Sequence, residues 1–248
     1  MALTDKLTAI ANAIRSKTST TEKMTLDEMT TAVEGIETGG VVSEPYIEET
    51  YDRYGTLISV ALYGHKIIRR YAFYNCISLT SASLPDDLTS IGENAFYNCS
   101  KLNLTSLPES VTSIGEKAFY YCSKLALTKL PDGITSIGTN VFAACSQLAL
   151  TKLPDGITTI GAGAFVQCTK LTLTSLPASV TSIDNGAFNT CTGLTTLTFE
   201  GTPDTIHSKA FTGCKNLTTI NVPWAEGAVA NAPWGATNAT INYNYIKN

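Results

Sequence analysis

The chain has 248 residues, 44% hydrophobic and 15% charged, with a formal net charge of −4. That is enough apolar material for a substantial core in one or two domains. It excludes the basic stripe with which a nucleic-acid binder meets phosphates. No run approaches the ~20 apolar residues of a membrane helix. The N-terminus lacks the uninterrupted apolar stretch of a signal peptide, so the expectation is synthesis in the cytoplasm.

Residues 1–40 read as a helical attachment or oligomerisation module. Leu3, Leu7, Ile10 and Ile14 fall on one helix face. Thr25 and Glu28 form a capping box, followed by a second stripe of Leu26, Met29, Val33 and Ile36. Gly39 and Gly40 close the segment as a joint. Helices this short bury little alone, so the stripes within residues 1–38 want a partner: the rest of the chain, a second copy, or another protein.

Residues 41–67 turn aromatic and β-branched, and Tyr54–Gly55 reads as a hairpin turn between alternating strands. This is the expected β-rich N-terminal cap of a repeat array, whose open end would otherwise leave unpaired backbone.

Seven repeats of 23 residues fill positions 68–222. Ile68, Ile91, Ile114, Ile137, Ile160, Ile183 and Ile206 open them, and a Phe follows each by five residues. All seven cysteines, Cys76, Cys99, Cys122, Cys145, Cys168, Cys191 and Cys214, recur at the same interval. Such a period marks a solenoid whose units bury their apolar faces against neighbours. Within a unit, Leu102–Pro108 predicts a strand with Leu102, Leu104 and Leu107 inward. The Leu104-to-Leu107 step breaks strict alternation, so a bulge or strand end is expected there. Val111–Ile114 predicts a second short strand, and Gly115–Cys122 a helical turn. The sixth repeat replaces the usual Leu-Pro by Phe199-Glu200.

The expected class is therefore an α+β repeat solenoid of seven turns with β-rich caps. Its core ladder contains Phe96, Cys99, Phe119, Cys122, Phe142, Cys145, Phe165 and Cys168. Residues 223–248 depart from the repeat and read as a C-terminal cap ending in a strand over Ala239–Tyr245. Trp224 and Trp234 either cover the last turn's core or form an aromatic ligand site.

A search for chemistry finds no cofactor, metal or catalytic signature. An odd number of cysteines excludes complete internal pairing, and a straight ladder supplies neither good disulfide geometry nor convergent metal ligands. His65 and His207 lie about six turns apart. No nucleophile elbow, zinc-protease motif or phosphate loop is present, so the chain is expected not to be an enzyme. The exposed strand positions remain as a candidate ligand face: Thr105, Ser106, Thr128, Lys129, Thr151, Lys152, Thr174 and Ser175. A flat hydroxyl-rich surface suits polar ligands, although Thr also simply suits a solvated strand.

The unit I-x-x-x-A-F-x-x-C-x-x-L-x-x-x-x-L-P resembles the BspA-like class of bacterial leucine-rich repeats, from Ile68 to about Ala228. That resemblance implies a surface or secreted protein binding a protein or glycan on a cell surface. The N-terminal LTDKLTAIANAIRSKT…MTLDEM and the C-terminal APWGATNATINYNY are similar to segments of phage and prophage tail or minor structural proteins. The implied setting is a tail-associated binding protein held by residues 1–38 to itself or to virion proteins. It would be virion-associated if phage-encoded, and otherwise a cell-surface or secreted adhesin.

Overall fold

The computed structural model describes residues 45–246, so the helical module expected over residues 1–40 lies outside the described residues. From Pro45 the chain winds as a stack of coils, each coil one repeat, joined by parallel strand pairs. The opening Ser/Thr-Ile pairs form two-residue parallel strands. β3 (Ile67–Ile68), β5 (Ser90–Ile91) and β6 (Ser113–Ile114) make one sheet; β7 (Ser136–Ile137), β8 (Thr159–Ile160), β10 (Ser182–Ile183) and β12 (Thr205–Ile206) make another. Their registers match Ile to Ile at each step, Ile68 to Ile91 and Ile160 to Ile183. Since a strand alternates its side chains, that register sends the second residue of each pair, always Ile, inward and the first, Ser or Thr in every strand but β3 with its Ile67, outward.

The helical turn expected at Gly115–Cys122 does not form, and there is no helix among the described residues. Lys117 and Tyr121 take left-handed conformations, with φ of 53° and 59°. Each one ends a right-handed turn before a helix can propagate. The N–H groups then alternate in direction. Those of Ala118, Tyr120 and Cys122 donate to Gly115, Lys117 and Phe119 in their own coil. Those of Lys117, Phe119 and Tyr121 donate to Thr139, Val141 and Ala143 in the next. A helix would spend every N–H on itself; here alternate ones tie coil to coil. The same pair of positions is Asn94/Asn98, Asn140/Ala144 and Gly163/Gln167 in other turns, with Asn and Gly the residues that tolerate this region best. The spacing of Ala118, Phe119 and Cys122 fits a helix face and this double turn equally well. The class is accordingly a β-solenoid rather than α+β.

The other column of strands comes in two forms. Where inward residues fall three and five after the leading Leu, strict alternation holds and a strand forms: β4 (Ser81–Ser83), β11 (Thr196–Phe199) and β13 (Thr219–Asn221). In the second to fifth turns they fall two and five after it, as in Leu102, Leu104 and Leu107. Two residues then lie between the inward leucines, and alternation fails. No strand forms over 102–108, 125–131 or 148–154, and only the two-residue β9 (Ser175–Leu176) forms in the fifth turn. The strand expected at Leu102–Pro108 is replaced by an irregular segment held to its neighbour at its start, through Asn103 N–H to the Thr80 carbonyl at 3.0 Å.

A hairpin of β1 (Tyr46–Tyr51) and β2 (Leu57–Tyr63) begins the stack, turning at Gly55 with φ of 75°. β2 pairs in parallel with β4. At the other end β14 (Thr240–Asn242) pairs with β13, shorter than the strand expected to reach Tyr245. Counting these partial coils, the solenoid makes about eight turns, one more than the seven counted from the repeats.

The core is one continuous column. Phe96, Cys99, Phe119, Cys122, Phe142, Cys145, Phe165 and Cys168 are all 0% exposed. Rings from successive turns stack at 5.1–5.7 Å between centroids, as in Phe119–Phe142 and Phe188–Phe211, a spacing at which aromatic pairs attract beyond their burial. The seven thiols are free, and six of them are buried. Each buried thiol donates to the carbonyl of the Phe 26 residues earlier, as Cys122 Sγ does to Phe96 O at 3.0 Å. A small apolar side chain with a weak S–H donor meets both demands of that position.

Candidate binding face

The irregular segments of turns two to five carry all eight residues of the candidate face. Between the inward leucines, Thr105 and Ser106, Thr128 and Lys129, Thr151 and Lys152, and Thr174 and Ser175 bulge outward together. Seven are exposed and Ser175 is half-buried. Equivalent positions repeat at the turn rise of ~4.8 Å, so the threonines form a straight row with a second row beside it.

The hydroxyls of this face differ from the other hydroxyl rows in what they touch. Thr89, Thr112, Thr158 and Thr181 each donate to a main-chain carbonyl of the preceding turn. Ser100, Ser123, Ser146 and Thr169 do the same. Those rows fasten coil to coil. The hydroxyls of Thr105, Thr128, Thr151 and Thr174 make no hydrogen bond among the described residues, and neither do the main-chain groups of Thr105, Ser106, Thr128, Lys129, Thr151 and Lys152. Three successive turns therefore present N–H, C=O and O–H groups with no partner among the described residues, open to water or a ligand.

Charge on the face is paired. Lys129 Nζ lies 2.7 Å from Glu109, and Lys152 Nζ lies 2.9 Å from Asp155. The Lys129 hydrogen bond holds the Glu109 carboxyl below its usual range, and the Asp155 hydrogen bond raises the Lys152 ammonium. Both pairs are exposed, so they orient side chains more than they stabilise the fold. The Lys152–Asp155 pair forms a ridge between two shallow clefts of about 630 and 400 Å³. Thr151, Thr174 and Ser175 line the larger, whose far edge is Glu200.

Sequence reasoning named the Thr and Lys rows but missed Glu109, Glu200 and the unpaired main chain. Glu200 was legible in principle, because it stands where turns two to five have proline and its N–H bonds to the Leu176 carbonyl at 3.0 Å. The unpaired main chain has no sequence signal beyond the displaced leucine.

At the C-terminal end, Trp234 is fully buried and Trp224 nearly so, with ring centroids 6.3 Å apart. Trp234 Nε1 donates to Ala230 O at 2.7 Å. This arrangement covers the last turn and presents no open aromatic site. His65 and His207 are remote from each other and from the face. No group of three or more His, Cys, Asp or Glu converges among the described residues. No helix among them is long and apolar enough to cross a membrane.

The family model described as "BspA type Leucine rich repeat region" matches this chain in six copies, over residues 66–191 and 158–228. No curated protein matches it. Among solved structures, the chain is similar to the T. pallidum leucine-rich repeat protein, at 28% identity and a TM-score of 0.54, covering 69% of this chain and 87% of that one. It is also similar to a leucine-rich repeat protein from Bacteroides ovatus, at 29% identity and a TM-score of 0.50 over 73% of this chain. The match spans 46% of the length of the B. ovatus protein.

Proposed function

The chain belongs to the BspA-type leucine-rich-repeat family, and from that premise we propose that it is a non-catalytic binding protein recognising a cell-surface glycan or protein through the Thr/Ser/Lys face. One observation carries the reading: in turns two to four the face offers main-chain and hydroxyl groups with no partner among the described residues, repeated at constant spacing. A ligand with its own repeat, such as a polysaccharide, would meet the same donors and acceptors on each turn, and weak contacts would add through avidity. The paired lysines and carboxylates suit a ligand that is polar and close to neutral overall.

The setting that the terminal segments favour is a phage or prophage tail, with residues 1–38 holding the protein to itself or to virion proteins. The other setting is a bacterial surface or secreted adhesin. Co-sedimentation with purified virions separates the two.

The face is tested with the full chain, fluorescently labelled, against whole bacterial cells and against isolated cell-wall polysaccharide. Replacing Thr128, Thr151 and Thr174 together by Val keeps the β-branched shape and removes the hydroxyls. Binding should fall roughly 100-fold, at about 1 kcal/mol for each of the three lost hydrogen bonds. The same change at Thr112, Thr135 and Thr158, on a different face, should leave affinity unaltered. Equal loss from both sets, or none from the first, removes the face from the proposal.

A further inference from the structure

One strip of the solenoid surface is aromatic, and it spans the first three turns. Tyr74, Tyr97 and Tyr120 occupy the position directly after the Phe in successive repeats, and the four turns that follow have Ala143, Val166, Asn189 and Thr212 there. Each Phe goes into the core, while the Tyr beside it stays at the surface. Tyr74 is 48% exposed, and Tyr97 and Tyr120 are half-buried.

The three rings form a column. Tyr74 and Tyr97 stack at 4.8 Å between centroids and 16° between planes, Tyr97 and Tyr120 at 5.1 Å and 11°. Edge-on rings end it, Tyr71 against Tyr74 at 71° and Tyr121 against Tyr120 at 83°. The main chain fixes the spacing, because the N–H groups of Asn75 and Asn98 donate to the Tyr97 and Tyr120 carbonyls, each at 2.7 Å. Equivalent residues of adjacent turns are related by little more than a translation, so near-parallel rings place like atoms over like. The carbon ortho to each hydroxyl therefore lies over its counterpart, about one turn rise away. A further stacked pair, Tyr46 and Tyr63, belongs to antiparallel strands, where no translation matches the two rings.

We propose that Tyr74, Tyr97 and Tyr120 are an oxidative cross-linking site, at which a haem peroxidase with hydrogen peroxide joins adjacent turns through a dityrosine bond and so fastens the N-terminal end of the stack. Each of two neighbouring phenols gives up its O–H hydrogen as one electron and one proton, and the peroxide takes up both pairs to become two waters. The two phenoxyl radicals form a carbon–carbon bond between the facing ortho carbons. Each of those carbons then releases its hydrogen as a proton and each oxygen regains one, which restores two aromatic phenols. Tyr97 is common to both stacked pairs. Burial, and then the neighbouring Tyr121, pushes the Tyr120 phenol up, and a phenol that holds its proton gives up an electron less readily. The more exposed Tyr74 is thus the point of entry, and Tyr74–Tyr97 the main bond. That bond closes a loop of one full coil and restricts the unfolded chain as a disulfide does. It lies in the turns next to the exposed strand β1, where Ile67 and Ile77 are also exposed. The inference does not depend on what the Thr face binds.

The test treats the full chain, at low protein concentration, with a haem peroxidase and hydrogen peroxide. The expected product is a monomer two hydrogens lighter, with dityrosine fluorescence and a cross-linked peptide pair carrying Tyr74 and Tyr97, and Tyr97–Tyr120 as the minor link. Tyr97→Phe keeps the stacked ring but removes the shared phenol, and should abolish both links. In the linked protein, amide hydrogen exchange across residues 71–122 should slow about tenfold or more, while residues 137–205 exchange as before. Tyr97→Phe treated in the same way should show no slowing. A monomer linked only at Tyr46–Tyr63, or links found only between chains and growing with concentration, overturns the site. Unchanged exchange in the linked protein overturns the fastening.

Discussion

At the C-terminal end of the solenoid the last turn is closed by residues whose only evident work is closure. Trp224 and Trp234 pack on Phe199 at 5.3 and 6.0 Å, Val229 is buried beside them, and Trp234 O accepts from Phe211 N–H as a further turn would. At the N-terminal end a two-stranded hairpin stands over only one side of the coil. β1 is exposed along its whole length, and apolar side chains ring the first turn. Burying the final core is thus settled within the C-terminal segment, whereas at the N-terminal end the described residues cover the core but leave Ile67 and Ile77 on the perimeter exposed. A repeat array stacks the same way in both directions, so each end needs its own solution.

That contrast can be broken most forcefully by Trp234→Ala. Removing a fully buried aromatic should cost about 3–5 kcal/mol, read as a lower urea midpoint, whereas Tyr51→Ala on the exposed hairpin should stay within roughly 1 kcal/mol. Equal costs would mean that the ends are not differently sealed.

Alkaline titration sharpens the contrast between the interior and the ends. Burial pushes the Cys99 thiol up to about 12 and that of Cys214, in the last turn, up to about 11. Below about pH 7.5 these thiols are neutral whether folded or unfolded, and stability is insensitive to them. As pH rises from about 8 the unfolded chain ionises while the folded one keeps its protons, so stability falls until the folded values are passed. Each buried thiol contributes at most about 1.4 kcal/mol per pH unit in that window. Urea midpoints should be flat from pH 6 to about 7.5 and drop with growing slope above 8, and the Cys122→Ala/Cys145→Ala variant should drop less steeply. An unchanged slope in the variant would assign the effect to other groups.

Smallest in energy but most direct is thiol access. Cys76 is the one half-buried thiol and lies in the first turn. It should react with iodoacetamide roughly 100-fold faster than Cys214, whose modification waits on opening of the tryptophan-covered end. Matching rates would show that the two ends open alike.

Much of this fold could be read from the chain. The opening Ile, the Phe and the Cys recur without slippage, and a side chain repeated every 23 residues at an apolar position has nowhere to go but a shared column. Two features could not be read. The Ala-Phe-x-x-Cys spacing is compatible with a helix face, and nothing at Lys117, Tyr121 or Ala144 announces the left-handed backbone that prevents one; only Asn94, Asn98 and Asn140 hint at it. The face was half legible. Exposed Thr and Lys followed from their positions between inward leucines, and the missing alternation at Leu104–Leu107 was visible. That this displacement strips the main chain of its ladder partners is a property of two adjacent turns together, and appears only once they are stacked.

The alternating N–H directions at Lys117–Cys122 bind every coil to the next by the same set of bonds, with no bond that skips a coil. Excision or duplication of 23 residues between equivalent points, for instance between Gly115 and Gly138 where neighbouring units are nearly the same sequence, therefore rejoins the ladder in register. The reading frame of the structure has a codon of one turn. Slippage between such similar stretches of gene would lengthen or shorten the molecule in units of about 4.8 Å, changing how many Thr positions the proposed face carries while both ends stay as they are.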